Sequence, residues 1–66
     1  MSIEILLKQV RQEKNMTLSM LSKKSGVSRT HINDIANNLK SPSLFVMVRL
    51  AKALDVEITE LYKIKW

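Results

Sequence analysis

The sequence predicts an all-α fold, a bundle of five short helices in one domain spanning residues 1–66. Three observations predict it. Apolar residues recur at helical spacing along the 66-residue chain, with no competing strand pattern. Small hydroxylic residues stand where helices need N-terminal caps, at Thr17, Ser28 and Ser43. The single glycine, Gly26, and the single proline, Pro42, fall where helices must stop.

The elements follow in order. Ile3, Leu6, Leu7 and Val10 keep the i, i+3, i+4, i+7 spacing and define a first helix from about Ile3 to Lys14. Thr17 caps a second helix, about Leu18 to Ser25, and Gly26 ends it in a backbone conformation that glycine adopts at little cost. Ser28 caps a third helix, about Arg29 to Asn37, with Ile32, Ile35 and Ala36 on its apolar side. Asn38 suits the left-handed conformation that closes this helix. After Pro42, Ser43 caps a fourth helix, about Leu44 to Leu54, expected to bury Leu44, Met47, Leu50, Ala51 and Leu54. A short fifth helix runs about Ile58 to Lys63 with Leu61 inward.

Composition narrows the function classes. There is no cysteine, which excludes disulfides and thiolate metal sites, and a reducing, cytoplasmic setting is the simplest expectation. No apolar run approaches the ~20 residues of a membrane span, and the N-terminal residues lack a signal-peptide pattern. The net charge is +5 and the sequence pI about 9.9. Up to Lys52 nine basic residues oppose three acidic ones, whereas after it two oppose three. A basic body with a near-neutral tail is the electrostatic footprint of a polyanion binder.

The segment from Met16 to Asn38 is the most informative. It places a short helix, a tight turn on Gly26 and a second short helix in succession, the arrangement that sets its second helix in the major groove of DNA. On a wheel of about 100° per residue with Ile32 at the origin, Asn37, Thr30 and Asp34 fall at about 140°, about 160° and about 200°. Asn33 flanks them, and Arg29 lies in the first turn. Arg, Asn, Thr and a carboxylate are the side chains that read base edges: Arg at guanine, Asn at adenine, Asp at the cytosine amine. An ordinary solvated helix face is the alternative. Thr17 and Ser28 stand at helix N-termini, which favour phosphate, and Lys23, Lys24, Lys40 and Arg11 supply positive charge for the backbone. His31 is a lone histidine at the flank, read as a packing or capping residue. No cofactor, metal site or small-molecule ligand is expected, and neither the carboxylates nor the serines form a catalytic pattern.

At these residues the chain resembles the phage-repressor helix-turn-helix family, the Cro and C1-repressor or XRE type. The resemblance runs from about Leu6 to Leu61, through VRQEKNMTLSMLSKKSGVSRTHINDI, SPSL and LAKALDVEITEL. It implies a λ-repressor-like fold and a transcriptional regulator, bacterial or phage-encoded, that binds double-stranded operator DNA as a homodimer. It further implies base contacts by Arg29, Thr30, Asn33 and Asp34, and phosphate contacts by Thr17, Ser28, Asn37 and Lys40. The sequence departs from the family at four places, of which Ser22 for a usual small Ala and Asn38 for a usual Gly are tolerable swaps. Leu18 stands where the family has a Gln that touches phosphate. Ala36 stands where it has a Glu that pairs with an Arg at the position of Arg11, which leaves Arg11 free for phosphate.

Several apolar residues fall outside the core stripe: Phe45, Val48, Val56, Ile58, Tyr62, Ile64 and Trp66. Apolar patches and aromatics of this kind mark partner surfaces. A twofold interface built from Phe45, Val48, Ile58, Tyr62, Ile64 and Trp66 is therefore expected, the alternative for Trp66 being to fold back onto the first helix. The competing function is a protein-interaction module of the same fold, antitoxin-like or anti-repressor, using Leu18 and Met20 on the second helix.

Overall fold

The computed structural model describes residues Met1–Trp66. In chain order it contains strand β1 (Ser2–Ile5), helices α1 (Leu7–Glu13), α2 (Leu18–Ser25), α3 (Arg29–Ala36) and α4 (Leu44–Leu54), a 3-10 turn (Ile58–Glu60) and strand β2 (Tyr62–Lys65). Four α-helices and a two-stranded sheet thus replace the expected five-helix, all-α bundle. The first helix begins at Leu7 rather than Ile3, and the fifth helix is reduced to a single 3-10 turn.

The reason lies in two short alternating segments at opposite ends of the chain. Ser2–Ile5 and Tyr62–Lys65 pair antiparallel, with Ser2 opposite Lys65 and Ile5 opposite Tyr62. Alternation sends Ile3, Ile5, Tyr62 and Ile64 to one face and Ser2, Glu4, Lys63 and Lys65 to the other. On the polar face Lys65 Nζ lies 3.2 Å from Glu4 Oε1, an exposed ion pair of small worth. The Leu6 amide donates to the Leu61 carbonyl at 2.8 Å and carries the pairing up to the start of α1. The spacing of Ile3, Leu6 and Leu7 fits a helix as well as a strand entering one. Isoleucine at alternate positions beside a distant YKIK strand decides for the sheet.

The helix caps fall where the hydroxylic residues stand. The Thr17, Ser28 and Ser43 hydroxyls each accept at 3.1 Å from the amide three residues on, in Met20, His31 and Val46. Four residues in the left-handed region end the helices: Asn15 (φ 54°), Gly26 (φ 75°), Asn38 (φ 59°) and Asp55 (φ 57°). After α3 the Asn38 amide donates to the Ile35 carbonyl and the Leu39 amide to the Asp34 carbonyl. Asn15 and Asp55 repeat this paired closure after α1 and α4.

The core is formed by Leu7, Leu21, Ile32, Ile35, Leu50, Leu54 and Leu61, all nearly or wholly removed from solvent. It joins every helix and the 3-10 turn into one cluster, with Val27 and Met47 also buried. Leu44 is a correction: expected inside, it is 74% exposed. It is the first residue of α4 and lies one turn beyond the buried stripe of Met47, Leu50, Ala51 and Leu54. Val56, Ile58 and Tyr62, placed by the sequence outside the core, are half-buried against it. Trp66 does not fold back onto α1; it is 92% exposed.

Candidate nucleic-acid interface

The sequence of α2, turn and α3 builds the candidate site. Its turn is short and tied at several points. The Gly26 amide donates to the Ser22 carbonyl at 2.9 Å and closes α2, and the left-handed conformation at Gly26 then turns the chain out of the helix. The Ser22 hydroxyl donates to the Val27 carbonyl at 2.7 Å, and the Val27 amide donates to the Ser25 hydroxyl at 3.1 Å. Ser25 and Val27 are buried. These bonds fix the angle at which α3 leaves α2. No role in the turn is expected of Ser22 from the sequence; the signal for one is a hydroxyl in the last turn of a helix, within reach of the chain beyond the glycine.

Helix α3 turns Ile32 and Ile35 into the core and presents Arg29, Thr30, Asn33 and Asn37 to solvent. Asp34 is half-buried, so the wheel's outward direction holds fully for four of its five polar residues. This makes the solvent face less acidic than the sequence suggested. His31 is half-buried at the flank, and its backbone amide serves the Ser28 cap. Arg29 and Thr30, at the exposed N-terminal turn, stand where a helix entering a groove end-on would first meet base edges.

The candidate phosphate ligands surround this face. Thr17 and Ser28 are exposed, and their oxygens accept the capping bonds, which leaves each hydroxyl hydrogen free to be donated. Lys40 and Asn37 are exposed at the far end of α3, and Lys23 and Lys24 at the end of α2. Arg11 is committed differently from the expectation. Its guanidinium Nη1 donates to the Met16 carbonyl at 2.9 Å, inside a half-buried corner between α1 and α2. With no carboxylate at Ala36, the guanidinium has found a backbone partner rather than standing free. Its remaining N–H groups are the ones left for a phosphate.

Leu18, another departure, is half-buried and packs against the core; Met20 is exposed. A protein-binding surface on α2 would therefore have Met20 without Leu18. No helix is long and apolar enough to cross a membrane.

Comparison with known proteins agrees with this arrangement. A family model described as helix-turn-helix matches residues 7–61. The transcriptional regulator SinR of Bacillus subtilis is 36% identical over 53 residues, covering 79% of this chain and 48% of SinR. The chain spans about half the length of the curated relatives it matches. The crystal structure of SinR, the master regulator for biofilm formation, in complex with DNA superposes with a TM-score of 0.75 at 35% identity, covering 80% of this chain and 86% of that one. The restriction-modification controller protein C.AhdI from Aeromonas hydrophila gives a TM-score of 0.78 at 30% identity, with 82% of each chain covered. A Bacteroides fragilis protein gives 0.84 at 29% identity, covering 94% of this chain and all of that one (100%).

Proposed function

The chain belongs to the helix-turn-helix family, Cro/C1 type, and from that premise we propose that it is a sequence-specific DNA-binding transcriptional regulator rather than an enzyme. One observation carries the reading. The α2–α3 unit holds an exposed row of Arg29, Thr30 and Asn33 on a rigidly closed turn, in a chain of net charge +5. The likeness to SinR, whose complex with DNA is solved, supports it.

In this reading α3 lies in the major groove. Arg29 and Asn33 donate to purine edges, Thr30 adapts to several, and Asp34 accepts from a cytosine amine or orients a neighbour. Thr17, Ser28, Asn37, Lys40 and the free part of the Arg11 guanidinium meet phosphates and set the register. Each phosphate neutralised releases counterions, so affinity falls steeply with salt. The domain measures 33 × 20 × 19 Å, so one copy covers little more than one groove. A homodimer would set two α3 helices ~34 Å apart, one turn of DNA, on an inverted repeat with half-sites ~10 bp apart. The surface for the second copy is drawn from the apolar side chains outside the core, the set of Phe45, Val48, Ile58, Tyr62, Ile64 and Trp66.

Selection from a random duplex library at low salt tests the reading. Enrichment of an inverted repeat with this spacing is expected. Enrichment of one unpaired half-site would keep the regulator and remove the dimer. A folded protein that enriches no sequence would refute DNA reading and turn attention to a protein partner at Met20.

A further inference from the structure

Two apolar surfaces lie outside the core. One is the outer side of α4, with Phe45 67% exposed and Val48 49% exposed. The helix sets Arg49 and Lys52 beside them, and the Arg49 guanidinium already covers the Phe45 ring at 4.8 Å from its centre. The other is a groove of about 640 Å³ between the apolar face of the β1–β2 sheet and the segment that follows α3. Ile3, Ile5 and Tyr62 line it from the sheet, Leu39 and Pro42 from that segment, and Leu44 from the start of α4. Leu39 and Leu44 stand out from its rim at 71% and 74% exposed.

We infer that this groove is where a second copy of the chain docks, with Leu39 and Leu44 of each copy entering the groove of the other. The inference rests on the dimer reading above but narrows and moves its surface: of the apolar set named there it keeps Ile58 and Tyr62, which line the groove, and leaves out Phe45, Val48, Ile64 and Trp66. Charge is the first argument. Two copies of a +5 chain repel, so they meet at least cost where the surface is least charged. Of the eleven residues lining the groove, Lys40 alone is charged. The outer side of α4 brings Arg49 and Lys52 to any contact made there.

Shape is the second argument. A twofold interface uses the same patch on both copies, so the patch must carry both projection and recess. The groove and its two leucines supply both within one surface. Position is the third. The lining segment Asn38–Pro42 directly continues α3, so a second copy docked at the groove lies next to the C-terminal end of that helix. Ile3, Ile5 and Tyr62, which form the sheet wall, lie outside residues 7–61, the part matched by the family model.

Sedimentation equilibrium of the full chain at high micromolar concentration tests the inference, with Leu44→Glu and Phe45→Glu as a matched pair. Both sites are exposed in the first turn of α4, where a carboxylate favours the helix, so both variants keep the fold. Symmetry removes two leucines from one interface, so Leu44→Glu weakens the dimer about a thousandfold. Phe45→Glu leaves it unchanged. Ile3→Lys, on the exposed edge of the sheet wall, weakens it as well. A wild-type dimer that survives Leu44→Glu and Ile3→Lys would overturn the groove and leave the dimer standing. A wild-type chain that stays monomeric would overturn both.

Discussion

Replacing Arg11 by methionine keeps the aliphatic stem and removes the guanidinium that donates to the Met16 carbonyl at 2.9 Å. A hydrogen bond from a charged group contributes ~1.5–3 kcal/mol, and the half-buried setting lowers this to about 1–2 kcal/mol. A domain of this size has only ~3–5 kcal/mol in total, so the loss is a large share. At ~4–8 °C per kcal/mol the thermal midpoint should fall by roughly 4–16 °C. Circular dichroism at 222 nm measures it. Arg11→Lys separates the two roles assigned to this residue. Lysine keeps the charge near phosphate but not the planar fork that reaches the carbonyl. Arg11→Lys should therefore lower the midpoint while leaving the salt dependence of DNA binding intact. Arg11→Met should lower both, with the log–log salt slope reduced by ~0.9. A wild-type midpoint in both variants would refute the idea that Arg11 holds the α1–α2 corner.

Three further outcomes are expected. Gly26→Ala forces a Cβ into the left-handed region at φ 75°, with Arg49 Nη1 only 3.4 Å from the new atom; a cost of ~1–2 kcal/mol should appear as a lower urea midpoint at unchanged slope, and an unchanged midpoint would contradict the turn geometry. Asn33→Ala should cost ~1–3 kcal/mol on the selected site and relax the preference at one base position, whereas an equal loss on every sequence would remove Asn33 from base reading. Lys40→Ala should weaken binding evenly across sequences and lower the salt slope by ~1, and an unaltered slope would take Lys40 off the phosphate backbone.

Much of this architecture is legible in the chain because it is local. A Thr or Ser cap is decided by an amide three residues away, and Gly26 or Asn38 by its own backbone angles, so short-range reading reaches them. What it misses is decided across the chain. Ser2–Ile5 becomes a strand because Tyr62–Lys65 lies beside it, and nothing within ten residues of Ile3 signals that partner. Leu44 carries the right spacing for burial, but the core ends one turn before reaching it. Arg11 shows the same limit at the candidate site: with no carboxylate at Ala36, the position of the Met16 carbonyl settles where the guanidinium goes. The polar row on α3 is readable because one helix defines it, although Asp34 is half-buried rather than exposed within it.

The pairing of Ser2 with Lys65 also orders the folding reaction in time. Joining the two ends of an open chain of this length costs roughly 3–4 kcal/mol of loop entropy. Two four-residue strands return too little to meet that alone. Once the helices have condensed around Leu50 and Leu61, the ends are already near each other and most of that entropy has gone. The strands therefore zip last and, by the same balance, part first. Amide hydrogens in Ser2–Ile5 should exchange through a local opening while those of Leu21 and Leu50 wait for global unfolding. Each opening carries away Ile3, Ile5 and Tyr62 together, so the groove exists for only as long as the strands stay closed.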